Sequence, residues 1–450
     1  MRTHFRSIYL IVFEVIGLMI LAGMWVVNNH HIEQAIEVAT TAESGKKYIK
    51  WVEFDVTYSA LDKAYKYDVQ THGQDVELHW IELLAYLGAK YGGDFSRYKE
   101  RDMVKLADCL LSKEETMESL TTKMEYYPYY YEAYEAVLGG LVGEYEIEVY
   151  KEAISPTITK TPKSTNSVTT TVTPDQTNVI TPTVTPNQTD TVTPTVTPSK
   201  MNAVTSTVTP NPTPLVTNSV PQPTAEPTLT PAPEKVWVSC YGLKGFSPIA
   251  RNYYYNDFDD FGVSRSYGYK RQHLGHDMMG SVGTPIIAAE SGYVEALGWN
   301  QYGGWRIGIR SFDGRRYYYY AHLRKNFPYN KSLEVGSIVT AGDVIGYLGR
   351  TGYSAKENTN NISTSHLHFG LQLIFDESQK DGNNEIWVDC YALTKFLYRN
   401  RCETVKNLET KEYSRVFLMK DPAVEEYKTR KNMNPPLDKD ATDGIIIEYD

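Results

Sequence analysis

The sequence is poor in cysteine and in concentrated positive charge, and each shortage removes a class of protein. Cys109, Cys240, Cys390 and Cys402 are the four cysteines among 450 residues. They are too few and too scattered for a disulfide framework or a thiolate zinc site. The formal net charge is -10 and no dense Lys/Arg block occurs, which argues against a general nucleic-acid binder, because phosphate contacts need clustered positive charge. Phenylalanine is scarce at 13 while tyrosine reaches 36. That balance suits half-buried core first, and surfaces that stack on sugars or peptides second. No His-Glu-x-x-His motif is present, so no glutamate of that kind can act as base.

What is present begins with one long hydrophobic run. Residues 7–27, "SIYLIVFEVIGLMILAGMWVV", are of the length that spans a bilayer as a helix. Arg2 and Arg6 precede it and no Lys or Arg follows until Lys46, so the positive-inside rule puts the N-terminus in the cytoplasm and everything after residue 28 outside. Glu14 costs about 2–3 kcal/mol at mid-helix, which the other residues outweigh. The run is long for a signal-peptide core and lacks an A-x-A site, and "LAGM" has Met24 where a lipoprotein signal needs Cys. A retained single-pass anchor is expected.

Length alone implies two or three domains. Residues 47–150 read as a helical domain. In "DVELHWIELLAYLGAKYGG" Val76, Trp80, Leu83, Leu84 and Leu87 recur at helical spacing, with Asp75 as N-cap and Gly92 as stop. "YYPYYYEAYEAVLGG" repeats the device, with Pro128 in the first turn, Tyr130, Tyr134, Val137 and Leu138 on one stripe, and Gly139 at the end. The stripe reads as core. Residues 155–234 then turn to Thr, Pro, Val, Ser and Asn, with "TVTP" recurring every twelve residues at 171, 183, 195 and 207. Such a tract cannot bury enough apolar surface to offset ordering, and extended at ~3.1 Å per residue it would reach roughly 250 Å, which makes it a spacer linker. From 235 onward, "SGYVEALGW", "GWRIGIRS" and "GRRYYYYAHL" are short alternating runs between Gly or Asp-Gly turns, and "VDCYALTKFLYRN" reads as one closing helix. A mostly antiparallel β domain is expected over 235–400, with a C-terminal extension over 401–450.

All five histidines of this domain fall in three short stretches: His273 and His276 in "HLGHD", His322 in "YAHL", His366 and His368 in "HLHF". A lone His-x-His is usually surface or core. The clustering with His322 behind an aromatic strand reverses that balance. In a strand, residues two or four apart share a face, so His273 and Asp277 would point one way and His276 the other, while His366 and His368 stand side by side. A helix would also align His273 with Asp277. Together the motifs offer a mixed N/O set for Zn(II) with the fourth position open to water.

"HLGHDMMGSVGTPIIAAESGYVEALGW", "YYYYAHL", "VGSIVTAGDVIGYLGRTGYS" and "HLHFGLQL", in that order, closely resemble the lysostaphin-type zinc metallopeptidases of the LytM family, family M23. The upstream "DDFGVSRSYGYKRQ" fits that family's opening strand. The resemblance covers about residues 243–398 and leaves out the helical segment, the Thr/Pro tract and the last fifty residues. It implies a groove-shaped antiparallel sheet and hydrolysis of peptide cross-links in bacterial peptidoglycan. By position it implies one zinc per chain on His273, Asp277 and His368, and catalytic roles for His322 and His366. Those two, near pKa ~6.5 when unperturbed, can accept a proton from water and hold the developing oxyanion, in either assignment. His276 falls at a variable place, and Tyr267 where some members carry a tyrosine near the scissile carbonyl.

Two departures from the family pattern stand out: the insert "AKENTNNISTS" before "HLHF", which alters one wall of the groove, and Cys390 where a proline is frequent. The expected architecture is therefore multidomain: a membrane anchor over 1–28, a small mainly α domain, a disordered Thr/Pro spacer and a LytM-like catalytic domain facing the cell wall. Its expected partners are peptidoglycan peptides and the bacterial cell membrane, through one N-terminal helix. A rival reading is a catalytically silent LytM-like scaffold or regulator that binds wall or other hydrolases. Such members commonly lose ligands, whereas here all five positions are filled. An adhesin or receptor stalk would use the spacer but leave the histidines idle.

Overall fold

The computed structural model describes residues 48–153, 233–266 and 270–433. The anchor expected at 7–27, Tyr267 and nearly all of the Thr/Pro tract lie outside these residues. Among the described residues no helix is long and apolar enough to cross a membrane.

The first described stretch is helical: α1 (Tyr58–Thr71), α2 (Trp80–Tyr91), α3 (Glu100–Leu111), α4 (Met117–Thr121) and α5 (Tyr127–Leu138). The expected start of α2 at Asp75 is displaced to His79. The cause is Asp68 of α1, buried, whose Oδ2 accepts the Trp80 N–H at 2.9 Å and so supplies the cap from another helix. The expected stop holds, with Gly92 in the left-handed conformation at φ 66. Pro128 lies in the first turn of α5 and Gly139 caps its end. Tyr130, Tyr134, Val137 and Leu138 are all buried, with the Tyr134 ring edge-on to Phe54 at 5.5 Å, so the tyrosine stripe is core.

The chain then enters β1 (Val142–Tyr150), which pairs antiparallel along its whole length with β2 (Lys235–Leu243), from Val142 opposite Leu243 to Tyr150 opposite Lys235. The Thr/Pro tract therefore leaves and re-enters at neighbouring positions of one strand pair. It does not set a distance between the helical and β parts, as a spacer between bodies would. The described residues on both sides of it belong to one compact unit. The C-terminal extension joins the same sheet: residues 419–420 pair with β1.

The larger sheet carries the histidines. Its strands are β3 (Tyr255–Asn256), β6 (His276–Gly280), β8 (Gly292–Asn300), β9 (Gly304–Ser311), β10 (Arg316–Ala321), β11 (Ile338–Val339), β13 (His366–Leu373) and β14 (Ile386–Val388). The smaller pairs are β4 (Ser264–Ser266) with β5 (Lys270–Gln272), and β7 (Pro285–Ile287) with β12 (Val344–Tyr347). The large sheet runs β11-β8-β9-β10-β13-β6-β3, with β14 beside β13, and every pairing is antiparallel. Alternation divides it into two faces. Tyr318 and Tyr320 of β10, and Leu367, Phe369, Leu371 and Leu373 of β13, are buried in the core. Tyr317, Tyr319, His366, His368 and Gln372 take the opposite face, which lines a groove of about 730 Å³. The closing helix is α6 (Tyr391–Leu397). All four cysteines are thiols.

The helical part is fastened to this sheet by Arg316 at the start of β10. Its side chain is 2% exposed, and its guanidinium reaches Glu290 (2.8 and 3.2 Å) and Asp313 (2.7 Å). It also donates to the Glu135 and Ala136 carbonyls at the end of α5, at 3.2 and 3.0 Å. Gly140 has φ 80, and a Cβ there would stand 2.2 Å from Glu290 Oε1, so glycine alone fits beside this pair. Burial raises the Glu290 carboxyl even with Arg316 next to it.

Arg316→Ala would leave Glu290 buried without its partner, and a loss of about 3–5 kcal/mol is expected in chemical denaturation. A loss below ~1 kcal/mol would show that the lock is dispensable. From the β1–β2 pairing, proteolysis within 155–230 should leave two fragments that co-elute on size exclusion without denaturant. Separation of the fragments would contradict the pairing.

Candidate active site

His273 does not lie on the strand that carries Asp277. The chain leaves β5 at Gln272, passes His273, Leu274 and Gly275 outside any strand, and enters β6 at His276. The expected common face thus comes from a bend. A Cβ on Gly275 would lie 2.6 Å from the His368 ring, so the bend admits His368 only because residue 275 is glycine. Across the sheet, His368 is paired directly with Asp277, and His276 with Phe369. That register turns Asp277 into the groove and His276 away from it.

Three atoms converge. His273 Nε2 lies 2.9 Å from His368 Nδ1 and 3.0 Å from Asp277 Oδ1, and His368 Nδ1 lies 3.0 Å from the same Oδ1. No arrangement of imidazole protons satisfies all three contacts at once, whereas a shared cation would satisfy every lone pair. Two nitrogens and one carboxylate oxygen are also a donor set suited to zinc. The ring orientation is fixed from behind: His273 Nδ1 donates to the Asp260 carbonyl at 2.9 Å, which directs Nε2 into the site. Arg265 Nη2 sits 2.6 Å from Asp260 Oδ2 and 2.9 Å from Asp277 Oδ2, holding both carboxylates. These residues fit a metal.

Electrostatics follow from this crowding. Burial opposes charge on His273, but its bonds to Asp260 and Asp277 prevail and push its pKa up to about 9. Burial would raise Asp277, but His273 and His368 hold it well below the usual carboxylate range. His368 is lowered, by burial first, against the opposing pull of Asp277.

His322 and His366 stand beside this trio. The His322 ring centroid is 4.8 Å from that of His366 and 5.8 Å from that of His368. His322 Nδ1 donates to the Thr351 carbonyl at 2.9 Å, and His366 Nδ1 to the Thr364 carbonyl at 2.9 Å, so each presents Nε2 to the groove. Burial, then the neighbouring His366 and His368, lower His322 well below its ordinary value, which keeps it a neutral acceptor. Its backbone is in the left-handed region at φ 61, held there by its N–H on Gly303 O at 2.8 Å. All five expected site residues thus meet in one groove.

His276 is elsewhere, bonded through Nε2 to Asp257 at 3.0 Å and packed on the Tyr391 ring. The insert forms part of a wall: Ile362 lines the groove, and Asn358 accepts the Trp305 indole N–H at 2.9 Å. Cys390 sits at the start of α6, its thiol on the Phe369 carbonyl. Sequence reasoning missed Asp260, Arg265 and Thr351. The carboxylates of "NDFDDFG" ahead of the first histidine were the only available signal for the first of these.

Residues 271–381 match the family profile described as Peptidase family M23. The L-Ala–D-Glu endopeptidase of Bacillus subtilis is 38% identical over 124 residues, which cover 28% of this chain and 36% of that protein. The glycyl-glycine endopeptidase ALE-1 of Staphylococcus capitis is 40% identical over 98 residues, 22% of this chain and 24% of that protein. The chain thus spans about a third or less of these curated relatives. A solved structure, the catalytic domain of the antimicrobial peptidase lysostaphin from Staphylococcus simulans, is 32% identical, covering 31% of this chain and 92% of that chain with a TM-score of 0.25.

His273→Ala, Asp277→Ala and His368→Ala should each abolish stoichiometric zinc, measured by elemental analysis, while His276→Ala should keep it. Full zinc in the Asp277 variant would remove that residue from the ligand set. Because His273 is protonated at neutral pH in the metal-free chain, zinc uptake must expel a proton, so affinity should fall as pH falls below about 9. Without metal the same shift has the reverse sign: its stabilisation is full below about 6.5 and is lost as pH rises through about 9. Calorimetry in buffers of different ionisation heat would expose the proton, and zinc uptake without proton release would refute it.

Proposed function

From the peptidase family M23 domain that this chain carries over residues 271–381, we propose that it is a zinc-dependent endopeptidase hydrolysing peptide cross-links of bacterial peptidoglycan. The observation that carries the reading is the meeting of His273 Nε2, His368 Nδ1 and Asp277 Oδ1 within 3.0 Å of one another in an open groove, beside two further histidines. Zinc held there would polarise the scissile carbonyl and acidify water.

The chain's own residues do the rest. The groove takes an extended peptide along the face formed by β9, β10 and β13. His322 Nε2, kept neutral and oriented by Thr351, accepts a proton or, once protonated, donates one to the developing oxyanion or leaving amine. His366 Nε2, 3.7 Å from Asp277 Oδ1 and with its ring 4.8 Å from that of His322, serves the same reacting centre as the second acid-base group. Roles of this kind contribute typically 10²–10⁴-fold. The 7–27 run is proposed as the membrane anchor, with the folded part outside at the cell wall.

Full-length protein loaded with zinc should release new peptide termini, identified by mass spectrometry, from peptidoglycan of at least one cross-link type, and a chelator should stop the release. His322→Ala and His366→Ala should keep their zinc and lose turnover by roughly 10²–10⁴-fold. Zinc-loaded protein that binds peptidoglycan of every type and cleaves none would instead mark a silent wall-binding scaffold.

A further inference from the structure

The groove holds an arginine that the reaction does not use. Arg306 of β9 is paired with Gly298 of β8, and shares the face of Gly308, which is paired with Tyr319 of β10. Its Nε is buried without a hydrogen-bond partner. Three nearby arginines are committed to acids, Arg310 to Glu295 and Glu377, Arg316 to Glu290 and Asp313, and Arg265 to Asp260 and Asp277, while Arg271, also in the groove wall, lies over the Tyr353 ring at 5.0 Å. Among the described residues no carboxylate comes within ion-pair distance of Arg306.

Of the acids lining the groove, Asp277, Glu295 and Glu385 are engaged otherwise, and Asp381 forms no ion pair with Arg306 among the described residues. Glu295 holds Lys380 at 2.6 Å, and Glu385 accepts from the Trp387 indole and the Gly382 N–H at 2.7 and 3.1 Å. Burial raises the Tyr317 and Tyr319 phenols, and the charge of Arg306 pulls against it, which sets the guanidinium near those rings. The Gly298 side of Arg306 is open: a Cβ at Gly298 would find nothing within 4 Å. A cation with one unmet donor, walled by tyrosines and open beside a glycine, is built to receive an anion from outside the chain.

Its place relative to the reacting centre follows from strand order. His368 lies on β13, Arg306 on β9, and β10 runs between them. Neighbouring strands are ~4.8 Å apart, so the two backbones are separated by roughly 10 Å, the span of about three extended residues. We propose that Arg306 is a specificity determinant that binds a carboxylate carried by the substrate peptide within about three residues of the scissile bond, so that this chain selects acidic stem peptides over neutral glycine bridges. This rests on the endopeptidase reading above. An L-Ala–D-Glu peptide retains a carboxylate at the glutamate, whereas a glycine bridge offers none internally.

The test uses two synthetic peptides, L-Ala–D-Glu–L-Lys–D-Ala with the free glutamate carboxylate and its carboxamide twin. They are titrated calorimetrically into zinc-loaded full-length protein carrying His366→Ala, so that bound peptide survives. The acidic peptide should bind roughly 10- to 100-fold more tightly than its twin, the scale of a charge-assisted hydrogen bond. Adding Arg306→Gln should erase the difference while leaving zinc content and the twin's affinity unchanged. Equal binding of both peptides, absence of binding, or a preference that survives Arg306→Gln would overturn the assignment. Peptidoglycan cleavage by the unmutated chain is scored separately. Cleavage without acidic preference removes this inference alone, and Arg306-dependent preference without cleavage removes the endopeptidase reading alone.

Discussion

The buried guanidinium of Arg316 is the constraint on which the rest of the molecule leans. It sits at the first residue of β10, the strand in the middle of the large sheet, and it neutralises Glu290 while terminating α5. Taking a guanidinium and a carboxylate out of water is costly, and only mutual pairing with further hydrogen bonds offsets it. The arrangement is therefore all or nothing: helix end, Glu290, the Asp313 turn and β10 must be in place together. A few residues along the same strand, Ala321 is paired with His368 and His322 follows at once. The register that Arg316 anchors at one end of β10 is thus the register that delivers two site histidines at the other.

This coupling changes the meaning of the segment before the β domain. Read along the chain, 47–150 and 235–400 are separated by a long Thr/Pro tract and look like two bodies. In space, β1 and β2 close the tract at its ends, and α1 and α2 pack Tyr65 and Trp80 onto Phe396 of α6. The helices are part of the scaffold that stiffens the back of the sheet, while the groove opens on its other face. A rigid back suits a groove that must hold five histidine and aspartate side chains in one geometry.

Much of the site was legible because its determinants are local. The alternation in "HLHFGLQL" places His366 and His368 on one face whatever the rest of the fold does, and the pattern of core residues Leu367, Phe369 and Leu371 fixes which face is buried. The existence of the helices and the Gly92 and Gly139 stops were equally legible from spacing. What was illegible depends on partners far away in sequence. The start of α2 is set by Asp68 from another helix, the pairing of His273 with Asp277 by a bend that works only against His368, and the β1–β2 pairing by residues more than eighty positions apart. Single-sequence periodicity carries no term for any of these.

The same reasoning explains why the groove divides its labour among arginines. An arginine in a sheet facing other strands can be a strut or a reader of ligands, and sequence alone does not distinguish "RIGIR" as either. The register does. Arg310 faces Tyr317 across β9 and β10 and finds Glu295 and Glu377, so its charge is spent inside the chain. Arg306, four residues earlier on the same face, meets Gly298 and no acid. Two like residues on one strand face have opposite fates because their cross-strand neighbours differ, and the charge left unpaired within the chain is the one that the proposed peptide substrate would meet.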